Sequence, residues 1–121
     1  MITETKTRRI EPDITVVEIS GRLNLGNSLM SIETAIQRLI DEGARKLIID
    51  LAGLDSIDSS GIGVMVSVSG LMEQSGGQMR IAGARGSVAK SFHLVHISRI
   101  AALDPDVESA GRHLAGDAAA V

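Results

Sequence analysis

The chain has no cysteine, no tryptophan and no tyrosine, and Phe92 is its only aromatic residue. Without cysteine there are no disulfides, no thiolate zinc sites and no cysteine nucleophiles. The near absence of aromatics argues against single-strand nucleic-acid or sugar binding, both of which lean on stacking platforms. A basic excess is missing too. Twelve Lys and Arg against fifteen Asp and Glu leave a net charge of −3, which offers no field for a phosphate backbone. No apolar run approaches the ~20 residues that cross a bilayer. The opening Met1-Ile2-Thr3-Glu4-Thr5-Lys6 has no apolar signal stretch. The expectation is a small, soluble, cytoplasmic domain with neither nucleic acid nor membrane among its partners.

What is present suits one domain. At 121 residues and 44% hydrophobic content, a core can form from Ile, Leu, Val, Ala and Met without a covalent staple. Ile14–Ser20 is short and β-branched, with Gly21 closing it, and reads as a strand. Thr3–Ile10 reads as a polar edge strand, joined to it by a turn at Pro12-Asp13. Lys46–Leu51 is a continuous apolar run, the mark of a strand covered on both faces. Met79–Gly83 and Ile100–Leu103 are further short strands. Between them, Leu29, Ile32, Ile36, Leu39 and Ile40 are spaced as one helical stripe that Gly43 ends. Ser87 is placed to cap a helix burying Val88, Phe92 and Val95. Asp104-Pro105 reads as a cap with proline at the first helical position, ahead of Val107, Ala110 and Leu114. Strands alternating with helices imply an α/β sandwich.

Residues 62–68 fit two patterns. Ile62, Val64, Val66 and Val68 alternate as a strand would, while Ile62, Met65, Val66 and Met72 share a helical face. The cap signal at Asp58-Ser59-Ser60 and the continuation to Gly76-Gly77 favour helix. Its inner face would then hold Ile62, Met65, Val66 and Met72, leaving Val64, Val68 and Leu71 partly outside.

The stretch Leu51–Gly63 follows the most apolar strand and opens that helix. In parallel α/β sheets this end of a strand is where partners meet the fold. A hydroxyl there sits beside free amides and the positive end of a helix dipole. From the residues alone the plainer reading leads: Asp58, Ser59 or Ser60 merely caps the helix, and Gly61 and Gly63 let backbones approach.

Asp58-Ser59-Ser60-Gly61-Ile62-Gly63-Val64, preceded by Leu47-Ile48-Ile49-Asp50-Leu51 and Ile57, resembles the signature of STAS domains, and more narrowly of bacterial anti-sigma factor antagonists. Ile14–Leu23 with its Gly-x-Leu turn, Gly76–Ile81 and Ser87–Phe92 extend the likeness along almost the whole chain. The resemblance implies a single α/β STAS domain over residues 1–114, with a mixed sheet of about four to five strands packed with about four helices, and a flexible tail over 115–121. It implies a regulatory module and not an enzyme. The partner is an anti-sigma factor that is also an ATP-dependent serine kinase. It phosphorylates the first serine of the tetrapeptide, here Ser59, and so releases the antagonist, and a serine phosphatase resets it transiently. The chain would need no cofactor of its own, and a homodimer is a possible assembly. The partner surface would comprise Leu23, Asn24, Leu25, Gly26, Asp58, Ser59, Ser60, Gly61, Val64 and the outward side of the helix. Two positions depart from the family pattern: Asn24 stands where Asp is usual, and His96 where a glycine turn is common.

Other readings carry less. A non-phosphorylated scaffold STAS domain in a signalling assembly stays open. Asp50, Asp55 and Asp58 could gather at a strand end and hold Mg²⁺, as in a phosphoacceptor or metal enzyme. His93 and His96 have no third ligand. No nucleophile elbow surrounds Ser59, Ser60, Ser67 or Ser69, and no P-loop pattern is present.

Overall fold

In the computed structural model the described residues are 4–24 and 26–116. The chain order is β1 (Glu4–Ile10), β2 (Ile14–Leu23), α1 (Asn27–Asp41), β3 (Lys46–Asp50), β4 (Leu54–Ile57), α2 (Ser59–Gln74), β5 (Gln78–Ala82), α3 (Gly86–Leu94), a 3-10 turn at Ile97–Arg99, β6 (Ala102–Asp104) and α4 (Val107–Leu114). The sheet runs β1-β2-β3-β5-β6, with β4 joined to the far end of β2. The β1–β2 pair is antiparallel and the remaining pairs are parallel. This is the expected mixed α/β sheet with four α-helices among the described residues, carrying β4 as an added strand.

The pleat sorts side chains into two cores. Leu47 and Ile49 of β3 face α1, α2 and α3, whose Ile36, Met65 and Phe92 belong to the same cluster. Ile48, between them, faces Ala110 and Leu114 of α4, with Val16 of β2 beside it. The continuous apolar run is therefore used on both faces, as its lack of alternation predicts. Full burial of each such Leu or Ile contributes roughly 1.5–3 kcal/mol.

Several boundaries differ from expectation, each for a tertiary reason. Gly21 does not end β2. It takes φ 91°, a bulge forms between it and Arg22, and the strand continues to Leu23 on a new partner, β4. Residues 54–57, with polar Asp55 and Ser56 in the middle, give no strand signal and form one because the bent end of β2 offers a ladder. Val95 is exposed rather than buried, since α3 stops at Leu94. Ser87 lies inside α3, not at its cap, which is Arg85. The cap of α4 is Asp106, whose side chain accepts the Ser109 N–H at 2.8 Å. Asp104 is instead buried at the end of β6 and ion-paired with Arg80. The edge strand starts by Glu4, and Thr3 lies outside the described residues, as do residues 117–121 of the expected tail.

The ambiguous segment is helix throughout. Its buried residues are Gly61, Val64, Met65, Val68, Ser69 and Met72. The expected face is thus rotated: Val64 and Val68 point inward, while Val66 is 37% exposed and Ile62 half-buried. Apolar residues occur all round α2, so periodicity cannot select its inner side. The sheet beneath and α1 alongside select it, the latter through the Ser67 hydroxyl donating to Glu33 at 2.9 Å.

Candidate functional site

Asp58 is the single residue between β4 and α2. Its N–H donates to the Leu23 carbonyl at 3.2 Å, continuing the β2–β4 ladder by one bond. Its backbone is extended, and its Oδ1 accepts the Gly61 N–H at 2.9 Å. The Asp58 carbonyl accepts from Ile62 N–H at 3.0 Å, the first turn of the helix. An extended residue whose side chain satisfies the third amide of the helix is an N-cap, worth about 1 kcal/mol.

Gly61 explains how close this corner lies to the sheet. It is buried, and a Cβ there would run into the Leu23 carbonyl oxygen and come within 2.7 Å of Ile57 Cγ1. The glycine therefore lets the helix start rest directly on the end of β2. This close approach is internal and not toward a partner. Gly63 has nothing within 4 Å of its Cβ position and is exposed.

The corner leaves Ser59 at the first helical position with its side chain exposed, while Ser60 is half-buried. Ser59 sits among the first amides of α2, which by helix geometry have no intrahelical acceptor, and at the positive end of a 16-residue dipole. It is neither sealed inside nor drawn into the sheet.

Of the residues expected at the partner surface, Asn24, Gly26 and Ser59 are exposed, and Asp58 and Ser60 are half-buried. Leu23 and Val64 are core residues at 0% and 4% exposure, so their side chains present nothing outward. Gly61 is buried for the reason above, and Leu25 lies outside the described residues. Val66, expected on the inner face of α2, is exposed instead, and Met30 of α1, which the sequence did not single out, is 72% exposed.

Two long-range bonds that no local pattern could reveal brace the corner from α3. The Ser87 hydroxyl donates to the Asp55 carbonyl at 3.2 Å, and Arg85 Nε to the Ala52 carbonyl at 2.9 Å. Asp50 is occupied locally, its Oδ1 accepting the Ala52 N–H at 3.0 Å. Asp50, Asp55 and Asp58 do not converge, and among the described residues no group of three or more His, Cys, Asp or Glu could hold a metal ion. A cleft of about 1140 Å³ lies elsewhere, between the β1–β2 turn and α4, and none of residues 53–66 lines it. No helix among the described residues is long and apolar enough to cross a membrane.

Comparison with known proteins gives the same fold and an assignment. A protein of Thermotoga maritima named "Putative anti-sigma factor antagonist" is 24% identical over 92 residues, which is 76% of this chain and 81% of that one. The anti-sigma factor antagonist SpoIIAA in its unphosphorylated form superposes with a TM-score of 0.79 at 21% identity, covering 93% of this chain and 97% of that one. Its phosphorylated form from Bacillus gives 0.71 at 20% identity, covering 91% and 98%. A chain of the stressosome, described as a signal integration and transduction hub, gives 0.70 at 17%, covering 92% and 96%. The STAS domain model matches residues 5–110, and the chain belongs to the STAS domain family.

Proposed function

We propose that this STAS domain is an anti-sigma factor antagonist, a regulatory binding module whose release from its partner is controlled by phosphorylation at Ser59. The observation that carries the reading is the exposure of Ser59 at the first position of α2, beside a capped and sterically fixed corner. The partner is an anti-sigma factor with serine kinase activity. ATP is bound by that partner, and this chain supplies only the accepting hydroxyl.

In the transfer, Ser59 Oγ attacks the γ-phosphorus of the ATP. A new O–P bond forms as the bond to the β-phosphate oxygen breaks, ADP leaves, and the hydroxyl proton passes to a base on the kinase. A serine phosphatase reverses the modification by hydrolysis, returning the hydroxyl and releasing inorganic phosphate. Ser59 fits the acceptor role better than Ser60, which is half-buried.

The phosphate brings about −1.5 to −2 charges. At a helix N-terminus the dipole and free amides favour that charge, so the domain stays folded. The switch therefore acts at the interface. Like-charge juxtaposition there costs up to several kcal/mol, and about 1.4 kcal/mol is already a tenfold loss of affinity. The contact surface consists of Asn24, Gly26, Ser59 and Ser60, with Met30 and Val66 as apolar neighbours. The Asn24 amide offers hydrogen bonds without a charge.

Incubation with the cognate kinase and ATP, followed by mass spectrometry, is expected to find phosphate on Ser59. Ser59→Asp should leave the melting temperature nearly unchanged and weaken kinase binding at least tenfold. Phosphate on another residue, or a collapse in melting temperature, would refute the reading. Stable binding indifferent to Ser59→Asp would instead mark a scaffold.

A further inference from the structure

The residues that open α3 do little for their own helix. Arg85 stands at the N-cap and makes no side-chain capping bond, since a guanidinium has no acceptor to offer a helix amide. Its charge also lies at the positive end of the helix dipole, where cations are disfavoured. Ser87, two residues on, carries a hydroxyl that could turn back to nearby backbone. Both side chains cross instead to the segment that leads into the Ser59 corner. Arg85 Nε donates to the Ala52 carbonyl at 2.9 Å, and the Ser87 hydroxyl to the Asp55 carbonyl at 3.2 Å.

Asp55 has a special place in its strand. Among the described residues β4 pairs with β2 alone, and the register steps from Gly21↔Leu54 to Arg22↔Ser56, passing over Asp55. The residue left out of the ladder is thus the one that Ser87 holds. An extra residue of this kind re-aims a strand, and only Ser56, Ile57 and Asp58 separate it from Ser59.

The frame that carries Ser87 is firm. Val88 and Phe92 anchor α3 in the core, and α3 packs against β4. The turn before α3 lies directly on residues 50–52: a Cβ on Gly83, at φ 77°, would come within 3.1 Å of the Ala52 amide nitrogen and 3.2 Å of Asp50 Oδ1. The corner is therefore gripped from two sides, by the end of β2 through the Asp58 N–H and Gly61, and by α3 through Ser87 and Arg85.

We propose that Ser87, supported by Arg85, is a positioning residue for phosphoryl transfer to Ser59, acting through the Asp55 carbonyl to fix the aim of the β4–α2 corner in the kinase complex. The inference rests on the reading of Ser59 as the phosphoacceptor. Neither side chain touches the reacting atoms. Transfer requires the Ser59 hydroxyl in line with the γ-phosphorus, and a misplacement of about 1 Å can cost roughly 100-fold in rate. Without the Ser87 bond the corner is held from the β2 side and pivots there. The loss expected is about three- to tenfold, the rate equivalent of one net hydrogen bond.

The test is single-turnover phosphorylation of Ser59 with the cognate kinase in excess, which separates the maximal transfer rate from the kinase concentration giving half of it. Ser87→Ala should lower the maximal rate about three- to tenfold, leave the half-saturating concentration unchanged, and be rescued by Ser87→Thr, which keeps the hydroxyl. Arg85→Ala should act in the same direction, and is the second variant should Ser87→Ala melt early. Without kinase, amide hydrogen exchange over residues 54–62 should quicken in Ser87→Ala and return to the parental rate in Ser87→Thr. Parental transfer rates in Ser87→Ala and Arg85→Ala would overturn the proposal and leave the Ser59 reading standing. So would unchanged exchange, or a raised half-saturating concentration at full rate, which would place Ser87 in the docking surface. Absence of phosphate from Ser59 in the parent protein would overturn the Ser59 reading itself, and this inference with it.

Discussion

The sharpest expectation concerns two glycines, two positions apart in α2, that receive the same methyl group. At Gly61 the new Cβ meets the Leu23 carbonyl oxygen, Ile57 Cγ1 at 2.7 Å and Leu23 Cγ at 3.0 Å. The first of these is backbone, tied by the Asp58 N–H, and cannot swing aside. Overpacking of this kind costs about 1–3 kcal/mol, against a helix-propensity gain of about 1 kcal/mol for alanine. Gly61→Ala should therefore lose up to about 2 kcal/mol net. At Gly63 the Cβ meets nothing within 4 Å, and only the propensity and unfolded-chain terms remain. Gly63→Ala should gain about 0.4–1 kcal/mol. For a domain of this size each kcal/mol moves the melting temperature by about 3–6 °C, so the variants should straddle the parent. With no Trp or Tyr in the chain, melting is best followed by far-ultraviolet circular dichroism. Equal stability of the two variants would mean that Gly61 does not set how close the corner lies to the sheet.

Two further outcomes rest on single observations. His96→Gly should raise stability by up to about 1 kcal/mol, since it relieves a left-handed side chain while loosening the unfolded chain; a loss of stability in calorimetry would show that the imidazole makes contacts outweighing its strain. Asp106 caps α4, and the Ser109 N–H it accepts, aided by the Ser109 hydroxyl and Arg112, holds its carboxyl below the ordinary 3.8. A depressed folded-state pKa contributes stability above the ordinary value, and this is lost as pH falls through the lower one. Relative to Asp106→Asn, which cannot titrate, the parent should lose stability on acidification below pH 3.8; parallel pH profiles would exclude the cap as the cause.

How much of this was legible beforehand varied with how local the determinant is. The α1 stripe is a property of one segment, and Leu29, Ile32, Ile36 and Ile40 are all buried. The double coverage of β3 follows from its unbroken apolar run, and the Asp58 cap from a carboxylate three residues before a helical amide. The inner face of α2 was not local. With apolar residues on every side, either rotation satisfies the pattern, and Val64 moves from expected contact to core. The caps of α3 and α4 each differ from the expected residue because the preceding strands set where the helices begin. Asp104 goes into the sheet because Arg80, 24 residues earlier on the neighbouring strand β5, meets it.

The chain's own order of residues determined the α/β class, the strand-to-helix turn and the tetrapeptide at its tip, because short-range periodicity and capping need only neighbours. Tertiary structure alone decided which side of α2 is covered and that Leu54–Ile57 pairs as a strand. Those depend on segments brought together from 30 or more residues apart, such as Glu33 with Ser67 or Ser87 with Asp55, and no window along the chain contains both partners.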